Sequence, residues 1–334
     1  MKKIGKQSYY LENNINIIST ASIVGPKEKE GPLHQYFDNC LDDEFWGEKT
    51  WEKAESKIIH ETVNLAINKS SIPVKDIDFC LAGDLLNQCI ASSFGLKDIN
   101  IPFIGMFGAC STFVESILTG AMILDGGFGE NIICNASSHF CSAEKQFRFP
   151  LELGNQRPPT SQWTVTGSGC AIISKNKTGP RITSLTPGKI VDMGIKDSNN
   201  MGAAMAGAAY DTLITHFKDT GRKPSYYDLI LSGDLGYIGK DILNDLMKSN
   251  GYNIKSNYTD CGVLIFDKEK QDTHSGGSGC GCIATVFSGY IYKMLLEKKY
   301  KKILLMATGA LTNDISAKQG ESIPGIAHAI SIEI

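Results

Sequence analysis

Cys110 stands in IGMFGACSTFVESIL, where a glycine-rich turn runs into an apolar stretch that reads as a helix opening at Ser111 or Thr112. A side chain at that point faces unpaired backbone N–H groups and the positive end of the helix dipole. Such surroundings lower a thiol pKa and favour the nucleophilic thiolate. The same amides equally hold a carboxylate, and a cysteine there also serves simply as a small residue in a tight turn. A second glycine-rich segment, THSGGSGCGC, again precedes an apolar stretch. In it Gly276, Gly277, Gly279 and Gly281 permit close backbone approach, with His274, Ser278 and Cys280 between them. The CxC of Cys280 and Cys282 is a weak metal signal without a second Cys/His pair at zinc spacing, so no metal is expected. His60 and His216 fall on helical stretches and read as surface or filler, and His328 on a strand-like one reads as core; His139 follows a strand-like run and stays a candidate.

The elements that must position these residues occur twice. At a shift of 150 residues, Thr62, Asp78, Leu81, Gly83, Asp84 and Leu85 find identical partners, and IDFCLAGDL aligns with YDLILSGDL. A second block, GACSTFVESILTGAMIL followed by INIICNASS, resembles GCGCIATVFSGYIYKML followed by KKILLMATG. A third pairs GSGCAIIS with GIAHAISI. Each half therefore reads helix, strand, loop, helix, strand, loop, strand. The short continuous runs FCLAG, IICNA, CAII, LILSG, ILLMA and AISI suit sheets covered on both faces. Helices are predicted at 52–69, 111–125, 201–218 and 281–298 from apolar residues at three- and four-residue spacing. The class is α/β, in two fused halves at 1–180 and 181–334, with NINIISTAS as the first strand. The polar stretch 139–163 is too long for a turn and is expected to cover a pocket or a dimer contact.

Composition narrows the function classes. With 33 basic and 36 acidic residues in 334, the chain lacks the basic excess of a nucleic-acid binder. No run approaches the roughly 18 apolar residues that span a bilayer, and no signal-peptide apolar region follows the N-terminus, so any membrane association is expected to be peripheral. Ten cysteines, several inside apolar runs, read as reduced buried thiols rather than a disulfide framework.

The duplication, the Cys110 turn and VTGSGCAII together resemble the thiolase-like superfamily of thiolases and ketoacyl synthases. The resemblance implies a duplicated αβαβα five-layer fold with Cys110 opening a buried helix. It also implies a homodimer through the strand near residues 101–107. The condensing set is incomplete. Where ketoacyl synthases keep a histidine, SGDLG offers Gly233 or Asp234, and where they keep an asparagine, Ser278 stands. His274 lies one residue off the thiolase histidine, and GESIPGIAHAI lacks the second thiolase cysteine. General acid–base help normally contributes about 10²–10⁴-fold, so condensation is not expected. THSGGSGCGC, ATGAL and SIPGIAHAI further resemble a non-condensing branch from spore-forming bacteria. That branch implies binding of dipicolinic acid, free or as its calcium chelate, without a cofactor. It implies uptake into the developing spore with membrane proteins of the same operon, at the periphery of the spore inner membrane. Two helix starts meeting at one pocket would give the dianion an amide-lined site, with Cys110, Thr112, Gly233, Asp234, His274, Ser278 and Cys280 around it. Asp234 is awkward beside an anion unless it faces a donor or calcium, and Asp84 in the other GDL leaves a structural role equally open. The alternatives are an acyltransferase with Cys110 as nucleophile and a structural subunit with a relic pocket.

Overall fold

The computed structural model describes residues 1–147 and 156–334. The duplication is visible in the strand order. The first half contributes β1 (Ser8–Val24), β2 (Phe79–Gly83), β3 (Phe103–Gly105), β4 (Asn131–Ser138) and β5 (Gly167–Ser174). The second contributes β6 (Arg181–Thr186), β7 (Leu229–Ser232), β8 (Tyr258–Asp260), β9 (Lys302–Ala310) and β10 (Gly325–Glu333). The halves run β1-β5-β4-β2-β3 and β6-β10-β9-β7-β8, the same order with the same parallel and antiparallel pairings. β1 pairs antiparallel with β6, which carries the hydrogen bonding from the sheet of one half to that of the other. That pairing also makes β1 longer than its sequence pattern suggests, because Tyr9 and Tyr10 lie opposite Leu185 and Ser184.

The predicted helices form at nearly the expected residues. α1 (Trp51–Ser70) starts where Thr50 Oγ1 accepts from Lys53 N, and buries Ile58, Ile59, Val63, Ala66 and Ile67 on one face. α5 (Met201–Thr220) is capped by Asn200 and stops at Gly221, whose φ of +69° suits glycine. α3 (Thr112–Asp125) and α7 lie in the middle. α7 runs on through Cys280–Thr285, a π turn at Val286–Ile291 and Tyr292–Leu296. Their Phe113 and Phe287 rings meet at 5.8 Å. The core around them takes Leu81, Ile132 and Ile173 from the first half and Leu231, Ile303, Leu305 and Ile330 from the second. Residues of both halves thus share one central core between the sheets. Separate apolar clusters lie under α1 on one outer face and under α5 on the other. The layers are helix, sheet, helix, sheet, helix.

Two parts differ from the sequence reading. The segments after each GDL, expected as loops, contain α2 (Ile90–Leu96) and α6 (Gly236–Ser249), and β8 pairs parallel with β7 although YTD is too short to show a pattern. The 139–163 stretch opens with α4 (Phe140–Phe147) and ends in the two-residue strand Trp163–Thr164, which pairs with Gly277–Ser278; its middle lies outside the described residues. All ten cysteines are free, and burial comes first among the causes that hold each thiol above its usual pKa.

Candidate functional site

The Cys110 turn and the 276–281 turn meet at one pocket. Ala109 takes φ +50°, a left-handed conformation that costs a non-glycine residue roughly 1–2 kcal/mol, and this aims Cys110 off the turn. The turn is tied internally: Thr112 Oγ1 accepts from Gly108 N at 3.1 Å and donates to Ala109 O at 2.7 Å. From the other half, Cys280 Sγ donates to Ala109 O at 3.0 Å, which clasps the two helix starts together. Gly279 has φ +99°, and a Cβ there would meet Ser138 Oγ at 2.7 Å, so only glycine fits.

The pocket holds about 630 Å³, counting the part open to solvent. Cys110, Ser278, Gly279, Thr164, Thr312 and Glu144 supply its more polar lining, and Phe107, Phe147, Met201 and Met205 are among its apolar walls. No lysine or arginine is among the described lining residues. Cys110 and the 276–281 turn therefore share a cavity, as expected. The amides expected to receive an anion are engaged inside the protein, however. Gly281 N donates to Ser138 Oγ at 2.9 Å, and Gly279 N faces the Asp234 carboxyl.

Asp234 lies wholly buried behind Cys110. Its Oδ1 lies 3.0 Å from Thr308 Oγ1, and Gln162 Nε2 donates to its main-chain oxygen at 2.7 Å. Burial pushes the Asp234 carboxyl well above the usual range, with nearby Asp260 adding to the rise. Burial also pushes the Cys110 thiol well above its usual value, and the adjacent Asp234 pushes it further. The helix-terminus effect is outweighed. Burial and the neighbouring carboxyl therefore favour the neutral Cys110 thiol over the thiolate that its position at a helix start suggests.

The structure sorts the other candidates. Ser278 lines the pocket, whereas Cys280 is buried behind it. Thr112 is committed to its own turn. Gly233 is packed against Ile283, and its carbonyl accepts from Thr308 Oγ1. His274 is not among the lining residues; its Nε2 lies 3.3 Å from Asp272 Oδ1 on the loop. His216 is buried between Thr186 and Tyr227, and His328 accepts from Gly188 N. His139, Glu44 and Cys141 form a grouping of metal-capable side chains, but both imidazole nitrogens are engaged by main chain: Nε2 with Glu44 O at 2.8 Å, Nδ1 with Cys141 N at 3.2 Å. The start of the 139–163 stretch does line the pocket, through Ala143, Glu144 and Phe147 of α4. Sequence reasoning pointed to that stretch without naming its residues, and it missed Phe107, Thr164, Thr312 and the pair Met201 and Met205 altogether. The i, i+4 spacing of the two methionines at a helix start was the available signal.

The fold and the cysteine-headed central helix define a thiolase-like protein. Solved structures agree on the fold. The 3-oxoacyl-(acyl carrier protein) synthase III of Xanthomonas oryzae pv. oryzae is 12% identical with a TM-score of 0.63, covering 98% of this chain and 100% of that one. Cerulenin-bound OleA of Xanthomonas campestris is 13% identical with a TM-score of 0.61, covering 98% and 100%. Within that class, the chain belongs to the Stage V sporulation protein AD (SpoVAD) family, whose model matches residues 5–333. Stage V sporulation protein AD of Bacillus subtilis (strain 168) is 44% identical over 333 residues, covering all of this chain and 98% of the relative.

Proposed function

We propose that this sporulation protein binds dipicolinic acid in the Cys110 pocket and passes it to membrane partners at the spore inner membrane. The observation that favours binding over condensation is the Cys110–Asp234 contact: a carboxyl, not an imidazole, backs the sulfur. A base is needed to activate a neutral thiol, and an acid that itself retains its proton is a poor one. The dicarboxylate assignment rests on the family. The Ser278, Thr164 and Thr312 side chains and the Cys110 thiol supply the polar contacts, and Phe107, Phe147, Met201 and Met205 pack the ring. Assembly as a homodimer belongs to the same proposal, supported by the edge strand β3, where Phe103 and Ile104 are exposed beside Phe94 and Ile90.

Titration calorimetry with dipicolinate tests the reading. Heat that diminishes in Ser278→Ala supports it, and no heat at millimolar ligand overturns it. Incubation with acyl-CoA followed by mass spectrometry tests the acyltransferase alternative, which requires an adduct on Cys110 that is absent in Cys110→Ala.

A further inference from the structure

The two GDL repeats have diverged in what their aspartates do. Asp84 is a structural group: its oxygens accept from Leu86 N at 2.9 Å, Ser92 N at 2.8 Å and Ser92 Oγ at 2.6 Å, tying the strand end to α2. The corresponding work in the second half falls to a different residue. Asp260 accepts from Leu235 N at 3.0 Å, Gly236 N at 2.9 Å and Gly262 N at 2.9 Å, and so secures the start of α6. Asp234 is thereby released. It takes φ +56°, its side chain turns toward Cys110, and its Oδ2 has no conventional hydrogen-bond partner although the residue is wholly buried.

No cation is among the described groups that act on that carboxyl. They are the Cys110 thiol before α3, Cys280 and Cys282 on α7, Cys261 and Asp260 beyond β8, and the Thr308 hydroxyl on β9. Each is an acid, a thiol or a hydroxyl, and the Gly279 amide that also faces the carboxyl is a donor without net charge. The pocket in front adds Glu144 and no cation among its described lining residues. An anion against Cys110 and an ionised Asp234 behind it would be like charges sharing one desolvated site.

We infer that Asp234 sets the charge state of the pocket: it must keep its proton for an anionic ligand to bind, so affinity is linked to one proton. This rests on the proposed binding of a dicarboxylate. Asp234 acts through Cys110 as a positioning residue, since it does not itself line the pocket.

Linkage gives the sign. Below the Asp234 pKa the carboxyl is neutral and affinity is constant; above it, affinity falls by about tenfold per pH unit. The test is titration calorimetry of the full chain with pyridine-2,6-dicarboxylate from roughly pH 6 to 10, a span in which model carboxyls do not titrate. The expected wild-type result is a plateau followed by that fall. Asp234→Asn, which cannot ionise, should remove the fall and bind more tightly than wild type at the alkaline end. Measurable binding with a flat wild-type profile overturns the inference while leaving the parent reading intact. The same fall in Asp234→Asn also overturns it, because Cys110 would then be the titrating group. Absence of heat at every pH overturns the parent reading and this inference with it. Circular dichroism establishes that the variant is folded, and the wild-type profile stands without it.

Discussion

At the scale of single residues, the polar groups divide into those that hold the fold and those the fold holds. Asp84→Ala leaves several buried donors unsatisfied and should lower stability by about 1–3 kcal/mol or more in urea unfolding. Ser278→Ala removes one polar contact from the pocket and should weaken dipicolinate by a few-fold to about tenfold, the range of one neutral hydrogen bond. Glu28 is wholly buried, and burial raises its carboxyl to about 8. A folded-state pKa above the unfolded value stabilises at low pH, and this contribution is lost as pH rises toward about 8. Glu28→Gln should therefore raise Tm near pH 8 and change it little near pH 5, readable by thermal melts in the two buffers.

At the scale of elements, the helix starts carry the site. Gly279→Ala meets both a clash with Ser138 and a backbone sign that alanine resists. It should cost at least about 1 kcal/mol in urea unfolding and weaken ligand binding in calorimetry by shifting the α7 start. Much of this arrangement is legible in the sequence. Repeats locate the two central helices, and the Gly-rich turns mark where each opens. The role of Asp234 is not legible, because identical GDL triplets hide different partners: Asp84 bonds to Ser92, whereas Asp260 replaces Asp234 from a strand too short to show periodicity. The state of the thiol is hidden for a related reason. Local sequence displays a helix start, but the opposing carboxyl comes from 124 residues away in the chain, the interval from 110 to 234.

At the scale of the whole molecule, one central core serves both halves, and β1 and β6 stitch their sheets. Boundaries at 180 and 181 mark a repeat in the sequence rather than two separable cores, since neither half covers the inner face of its own sheet without the other's central helix. The edge strand β3 carries the prediction at this scale. Phe103→Asp should convert the proposed homodimer to monomer in sedimentation, because a charge at the centre of an apolar edge opposes pairing with a second copy.

Seven of the ten free thiols are buried, and these give the folded chain a chemical silence that unfolding ends. Alkylating reagents act on accessible thiolates, and burial both shields these seven sulfurs and disfavours that form. Adducts at the seven buried cysteines then accumulate only as molecules open, and the intact mass of each molecule records whether it opened in part or throughout.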